Sequence, residues 1–199
     1  MTAGPNAPSY SVITLDSLDQ LAQMRQISAA GDEVALQAYL GQLEGSDADS
    51  RQALLEFLSL VDSIPVVQLM DGTVCRLSHQ KSPVSQDTYE NVLELSFENP
   101  QGQQVRLEYL LSVKDIAAME QQVQSAPGVT ALDIDLQLEA TGDRLRVFGE
   151  QRSQGIITWY LSINGLYAQA TYRAADAATI NTTQIFAGLS VIRISDLTA

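Results

Sequence analysis

The chain has 199 residues, of which 45% are apolar and 18% charged, a balance typical of a folded protein rather than a disordered one. Its 24 acidic and 11 basic residues give a formal net charge of −13. Because binding to phosphate needs clustered Lys and Arg, and no window of the sequence holds such a cluster, we expect neither nucleic acid nor an anionic membrane as a partner.

The N-terminal third is predicted to be helical. Residues 1–9 are rich in Gly and Pro and are expected to be a flexible N-terminus. Across residues 10–62 apolar side chains recur at helical spacing, which predicts a three-helix segment. Gly31 marks a break in that segment, and Asp32 is placed to cap the helix that follows it.

Residues 63–199 are predicted to form an antiparallel β-rich α+β domain, because the apolar spacing changes from 3.6 to 2 after Pro65 and turn signals become frequent. Asp71-Gly72 indicates a first hairpin, and Asn99 to Gly102 indicates a second. Two more hairpins are expected, turning on Gly142-Asp143 and on Asn164-Gly165. The predicted strands are Val66–Met70, Thr73–Leu77, Val92–Glu98, Val105–Val113, Leu132–Glu139, Arg144–Val147, Ile157–Ile163 and Leu166–Tyr172.

The turns also predict which residues face one another across each hairpin. In the second hairpin Phe97 should lie opposite Val105 and Leu95 opposite Leu107. In the third, Glu139 should face Arg146 and Leu138 should face Val147. In the fourth, Trp159 should face Ala170, Leu161 should face Ala168 and Ile157 should face Tyr172, all on one apolar side.

Two further helices complete the prediction. Ser112, with Asp115 three residues later, is expected to start a fourth helix, and residues 174–188 are expected to form a C-terminal helix before a short strand at 189–194. The order of elements after Pro65 therefore suggests two similar β-β-β-β-α halves.

The sequence offers no familiar catalytic or metal-binding set. His79 is the only histidine and Cys75 the only cysteine, so a zinc cluster and an intrachain disulfide are both excluded. Four residues along a strand separate these two by roughly 13 Å, too far for a nucleophile and its base. We therefore interpret Cys75 as a buried strand thiol and His79 as an exposed loop imidazole. Neither a cofactor nor a metal is expected, since no Gly-rich phosphate loop is present.

The usage of cysteine and the absence of a long apolar run favour a cytoplasmic protein. One cysteine suits a reducing compartment. The first ten residues contain no basic residue and no apolar run, unlike a secretory signal. The most apolar late segment, 185–194, is far shorter than the ~20 residues of a membrane-spanning helix.

Asp133 and Asp135 form the best carboxylate pair, two residues apart on one face of a predicted strand. Such pairs occur in hydrolases and magnesium sites. Their alternation with Leu and Ile fully explains these residues as a solvated strand face that is complemented by Arg on the neighbouring strand, and this is the favoured interpretation. An enzyme that used carboxylates alone remains the third of the hypotheses for this chain.

Tyr160 and Tyr167 are predicted to be diagonal neighbours on the sheet face opposite the core, among few charges. Tyrosine on a weakly charged surface is typical of the centre of a protein interface. The alternative is that a helix of the same chain, such as one from the N-terminal three, covers that face.

The leading functional hypothesis is a non-enzymatic protein-binding protein: a chaperone, an adaptor, an assembly component or an inhibitor. It would act through Tyr160 and Tyr167 or through the acidic residues Asp133 and Asp135, and its net charge favours a basic partner. The sequence also leaves a homo-oligomer open. The alternative hypothesis is a carrier that holds a small apolar ligand between the sheet and the helices, beside Trp159.

Overall fold

The computed structural model describes residues 11–15, 18–42, 50–69, 73–139 and 141–194. Within these ranges the chain has an α+β fold with a large antiparallel sheet and five α-helices. The elements in chain order are β1 (Ser11–Leu15), α1 (Leu18–Ala30), α2 (Glu33–Leu40), α3 (Ser50–Ser63), β2 (Val66–Gln68), β3 (Thr73–Pro83), β4 (Tyr89–Glu98), β5 (Gln104–Leu110), α4 (Ile116–Gln124), β6 (Thr130–Gln137), β7 (Arg144–Ser153), β8 (Ile156–Ile163), β9 (Leu166–Arg173), α5 (Thr182–Ala187) and β10 (Ser190–Ile192).

The large sheet has eight strands in the order β1-β3-β4-β5-β9-β8-β7-β6, and β2 pairs with β10 in a separate two-stranded ribbon. Every neighbouring pair is antiparallel. The pairing of β5 with β9 joins strands that are far apart in the chain, with Leu107 opposite Ala170. This central pair unites two groups of consecutive hairpins into one sheet.

One face of the sheet, here called the inner face, forms the hydrophobic core. Leu95, Leu107, Trp159 and Leu161 are fully buried on it, as expected where apolar side chains alternate along neighbouring strands. Helices α1, α2, α3 and α5 and the β2-β10 ribbon contribute apolar side chains to the same core. Tyr109 attaches the ribbon to the sheet, because its hydroxyl donates a hydrogen bond of 2.8 Å to the carbonyl of Pro65.

Helix α4 lies on the opposite side of the sheet, here called the outer face. It contacts β6 and β7. Its buried Val123 packs with Phe148 and Tyr167 in a second, smaller cluster, separate from the main core. Among the described residues, α4 therefore covers the outer face at its β6-β7 end.

Two of the predicted hairpin registers are confirmed. Phe97 lies opposite Val105, and Trp159 lies opposite Ala170. The turn chemistry explains this accuracy: Asn164 and Gly165 have φ angles of 50° and 79°. A two-residue turn with both φ angles positive matches the right-handed twist of the strands that it joins.

The predicted register of the β6-β7 hairpin is wrong by four residues. Asp135, not Glu139, lies opposite Arg146. The loop is longer than two residues, and Leu138 closes it by donating its N–H to the carbonyl of Asp143 at 2.9 Å. Because the error is an even number of residues, apolar side chains still face the core and acidic ones still face outward.

The predicted Asp71-Gly72 hairpin is also wrong. These two residues lie outside the described ranges, but the strands on either side do not pair with each other: β2 pairs with β10, whereas β3 lies between β1 and β4. Between Pro65 and α4 the chain therefore supplies three strands of the large sheet, β3 to β5, whereas four, β6 to β9, lie between α4 and α5. The two similar halves suggested by the element order are not confirmed, and α4 and α5 pack on opposite faces.

Several element boundaries differ from the prediction. Asp115, not Ser112, caps α4, accepting a hydrogen bond of 3.0 Å from the N–H of Ala118. Ser112 instead donates to the carbonyl of Tyr89. The expected helix at 174–188 is a 3-10 turn at 177–179 followed by the short α5. Asp32 caps α2 as predicted.

Strand β1 is the one strand of the large sheet that the sequence analysis missed. It precedes the N-terminal helices, and the predicted flexible residues before it lie outside the described ranges. Ile13 and Leu15 are buried, with Ile13 opposite His79 and Leu15 opposite Leu77 on β3. The edge of the sheet at β3 is therefore covered by a strand from the N-terminal part of the chain.

Candidate functional site on the outer sheet face

Tyr160 and Tyr167 lie on the outer face as predicted, but they are covered. Tyr167 is only 1% exposed, and its ring stacks on Phe148 with a centroid separation of 6.1 Å. Tyr160 is half-buried beside them, and its hydroxyl donates to Gln151 at 3.1 Å. The covering element is α4 rather than one of the N-terminal helices. Tyr167 is therefore part of the interior.

A β-bulge in β7 allows α4 to approach so closely. The register shifts between Val147 and Gly149, and both Phe148 and Gly149 meet the α4 side of the sheet. A Cβ atom on Gly149 would come within 2.7 Å of Val123 Cγ1. Glycine at this position therefore makes room for the helix.

Asp133 and Asp135 lie on the exposed outer side of β6, the last strand of the sheet. The side chain of Asp133 is 85% exposed and accepts a hydrogen bond of 2.6 Å from Arg146 Nη1. The same guanidinium binds Glu120 of α4 through Nε and Nη2. The apolar residues of β6 that alternate with these acids, Leu132, Ile134 and Leu136, are only half-buried.

The backbone of β6 is open on the side away from β7, within the part of the chain that the structure describes. The hydrogen bond from Leu138 to Asp143 identifies that pair as directly bonded, and bonded pairs alternate with unbonded ones along an antiparallel ladder. Asp135 and Gln137 therefore direct their N–H and C=O groups away from β7. They present donors and acceptors that another strand can use.

At the other end of the outer face the strands are uncovered by α4 and form a groove with a volume of about 530 Å³. The groove crosses β3, β4, β5 and β9. Three arginines from three different strands line it, together with two hydroxyl side chains and several acidic or amide groups. The lining side chains on the outer face are Arg76, Glu94, Ser96, Glu98, Gln104, Arg106, Thr171 and Arg173.

This arginine groove was not predicted from the sequence, because its basic residues do not cluster in any short stretch of the chain. Arg76, Arg106 and Arg173 are separated by tens of residues. Arg106 and Arg173 are each the single cation of their strand, and β3 carries Lys81 in addition to Arg76. The pairings of β3 with β4, of β4 with β5 and of β5 with β9 bring them together. The β4-β5 register was predictable from its turn, but the β5-β9 pairing has no local signal.

His79 is placed differently from the prediction. Strand β3 continues to Pro83, so His79 lies within a strand rather than in an exposed loop, and it is buried with 3% exposure. Its Nε2 lies 2.6 Å from Asn91 Oδ1, and its ring centroid lies 6.1 Å from that of Phe57 on α3. Burial lowers the pKa of the imidazole, and the hydrogen bond to Asn91 only partly offsets this effect. The side chain of Cys75 lies outside the described set.

The inner face around Trp159 is filled by side chains. The indole meets Phe186 of α5 edge-on at 5.4 Å and Tyr172 at 6.2 Å. Its Nε1 donates to Thr182 at 3.0 Å, and Glu150 accepts from both Trp159 and Thr182. These contacts attach α5 to the sheet where the apolar-carrier hypothesis expected a pocket.

Among the described residues, no group of three or more His, Cys, Asp and Glu side chains is placed to hold a metal ion. Within the same ranges, no helix combines the length and apolar character needed to cross a membrane. Comparison with family models, with curated proteins and with solved structures gave no match to the chain.

Proposed function

We propose that the protein is a non-enzymatic protein-binding protein whose partner adds an extended segment to the open edge of β6. One observation carries the proposal: β6 ends the sheet with eight residues, and its backbone groups at Asp135 and Gln137 point away from β7. An exposed strand edge of this kind is a general site for strand addition by a peptide. A chaperone, an adaptor, an assembly component or an inhibitor would use it in the same way.

The side chains of β6 define the kind of segment that fits. Asp133 and Asp135 lie toward the outer face, and Ile134 and Leu136 toward the core face. A partner strand with Arg or Lys on one side and apolar residues on the other would complement both. Each opposite-charge pair between neighbouring strands contributes about 0.2–1 kcal/mol. A basic, alternating strand is therefore the favoured partner.

The same acids disfavour pairing between two copies of β6. Two copies joined edge to edge would place the acidic residues of one strand beside those of the other, and like charges on neighbouring strands are destabilising. Charged residues on edge strands commonly prevent such self-association. The proposal is therefore a complex with a different protein, in the cytoplasm and without a cofactor.

The proposal is tested with an eight-residue peptide, the length of β6, that alternates Arg and Val and carries a fluorescent label. A peptide of the same composition with its arginines grouped in one block is the control. Fluorescence anisotropy should show tighter binding of the alternating peptide by about tenfold or more, because only that peptide places all its arginines on the same side of the added strand as the two acids. Equal binding of the two peptides would overturn the proposal.

Two variants separate strand addition from simple charge attraction. Gln137→Pro removes an N–H that points away from β7, so it should preserve the fold and weaken the peptide about tenfold. Gln137→Ser keeps the N–H and should bind as the wild type does. On peptide binding, the amides of Asp135 and Gln137 should become protected from hydrogen exchange. Unchanged exchange with bound peptide would place the site elsewhere.

A further inference from the structure

The arginine groove at the uncovered end of the outer face contains a continuous row of hydrogen-bond donors. Arg76 lies opposite Ser96, Ser96 lies opposite Arg106, and Arg106 lies opposite Thr171 on β9. Because neighbouring strands are about 4.8 Å apart, the row extends over roughly 15 Å from β3 to β9. Arg173 is two residues beyond Thr171, which makes it a diagonal neighbour of Arg106 at about 7–8 Å.

We infer that this groove binds a small anion that carries two or more charged oxygen groups. Guanidinium groups bind carboxylate and phosphate oxygens through paired N–H donors. Hydroxyl groups such as those of Ser96 and Thr171 add donors between them. The volume of about 530 Å³ lies within the range of about 300–1,000 Å³ that is usual for small-molecule sites. The site is independent of the β6 edge.

The charges around the row limit the size of the ligand. Glu94 and Glu98 also line the groove, each two residues from Ser96 along β4 and on the same face. A long phosphate chain that ran along a strand would meet these carboxylates and be repelled. A short anion that lies across the strands, along the row of donors, avoids them. The geometry therefore favours a small molecule over a nucleic acid.

Arg106 is the central residue of the site. It lies in the middle of the row, and its side chain is 54% exposed. Its Nε donates to Glu108 at 3.0 Å. This contact orients the guanidinium without using its two terminal Nη groups. A planar guanidinium held in this way is well suited to binding a second anion through its Nη groups.

Isothermal titration calorimetry with inorganic pyrophosphate and with citrate tests the inference on the full chain. Acetate, a monoanion, is the control at the same ionic strength. We expect pyrophosphate or citrate to bind, and acetate to bind at least about tenfold more weakly. The multivalent anion that binds more tightly will show whether the groove prefers phosphate or carboxylate. Absence of heat with both multivalent anions would overturn the inference. Tighter binding of a single-stranded oligonucleotide than of either anion would overturn it as well.

Matched arginine variants locate the site. Arg106→Gln and Arg173→Gln should each weaken the tighter anion by about tenfold, since each removes a charge-assisted contact. Arg144→Gln, at an exposed position on β7 outside the groove, should change the affinity less than about twofold. Equal losses in all three variants would indicate general charge attraction and overturn the inference. Shifts of the backbone amide NMR signals of Ser96 and Thr171 on titration should accompany binding.

Discussion

Arg146 on β7 joins Glu120 of α4 to the sheet. Its Nε lies 3.1 Å from Glu120 Oε2, and its Nη2 donates to the other carboxylate oxygen. These hydrogen bonds lower the pKa of Glu120, although burial partly opposes them. The contact lies beside the proposed binding edge. It adds to the small apolar cluster under α4 and to the hydrogen bonds that Gln124 Nε2 of the same helix donates to the carbonyls of Phe148 at 3.1 Å and Leu132 at 3.3 Å.

A double-mutant cycle on Arg146 and Glu120 should show this attachment. Arg146→Gln, Glu120→Gln and the double variant should give a coupling free energy of about 1 kcal/mol, the upper end for paired charges near a surface. The parallel cycle with Asp133→Asn should give less than about 0.5 kcal/mol, because the Asp133 side chain is 85% exposed. Urea unfolding measures both. Equal coupling in the two cycles would contradict the structural difference.

Gly149→Ala should destabilise the packing of α4. The added methyl group would meet Val123 at 2.7 Å and Val129 at 3.2 Å, and overpacking of this kind costs about 1–3 kcal/mol. The expected result is a lower free energy of unfolding and increased accessibility of Tyr160 and Tyr167, measured by urea unfolding and by tyrosine fluorescence quenching.

Gly41→Ala is the matched control for that experiment. Gly41 has a helical φ of −65°, and its added methyl group would lie 3.5 Å from the carbonyl oxygen of Gln37, an ordinary van der Waals contact. Its stability should change by less than about 0.5 kcal/mol. An equally small change in the free energy of unfolding for Gly149→Ala would contradict the prediction. It would mean that α4 can shift to accommodate the added methyl group.

His79 should make stability sensitive to mild acid. Burial lowers its pKa below the ordinary value of 6.5, so the unfolded chain binds the proton more readily than the folded chain. The contribution of His79 is therefore complete above about pH 6.5 and is lost as the pH falls from there toward the folded-state pKa. The loss should be about 1.4 kcal/mol for each unit of difference between the two pKa values.

Urea unfolding of the wild type and of His79→Gln at about pH 7.5 and pH 5.5 measures this effect. Glutamine keeps a group that can hydrogen-bond to Asn91 but cannot take up the proton. We expect the wild type to lose more stability than the variant between the two pH values. The carboxylates with lowered pKa values, Glu120, Asp143 and Glu150, titrate below this window. Parallel losses in both proteins would show that His79 is not responsible.

Hairpins were predictable from their local turn residues, whereas strand pairings between distant parts of the chain were not. The turns at Gly102 and Asn164 fix their hairpins through φ angles that few residues adopt, so Phe97 and Trp159 were assigned correct partners. The pairing of β2 with β10 joins Val67 to Val191, and nothing near either residue indicates the other. The strand phase was predictable from alternation, but the covering of Tyr167 by α4 depends on Gly149, whose role appears only once the helix is placed.

The two candidate sites were predictable only where they depend on local sequence. The exposure of Asp133 and Asp135 followed from alternation with apolar residues. That β6 would be the last strand did not follow, because strand order is a property of the whole sheet. The arginine groove was missed for the same reason. Alternation along β5 predicts that Arg106 lies on the outer face, but nothing in the sequence places it beside Thr171 of β9.

Asp143 should be the most sensitive charged residue for stability at the β6-β7 loop. Its side chain is buried and accepts hydrogen bonds from Asn164 Nδ2 at 2.6 Å and from Arg193 Nη2 at 3.1 Å. It therefore connects two loops to the segment that follows β10. Burial alone would raise its pKa, but the hydrogen bonds from Thr141, Arg193 and Asn164 outweigh it and the pKa is lowered.

Asp143→Asn should lower the free energy of unfolding by about 1–3 kcal/mol. The variant keeps the shape of the side chain, but an NH2 donor replaces one of the two acceptor oxygens and faces neighbouring donors. Arg193→Gln should cost less, since the Arg193 side chain is 32% exposed and water replaces part of the interaction. The advantage of the wild type over Asp143→Asn should begin to be lost as the pH falls below about 3.8, where the carboxylate of the unfolded chain takes up a proton, and should be gone once the pH has fallen through the lower pKa of the native carboxylate. Urea unfolding beside Asp87→Asn, at an exposed loop position, measures the difference. Equal costs for the two Asp variants would mean that Asp143 does not hold these segments together.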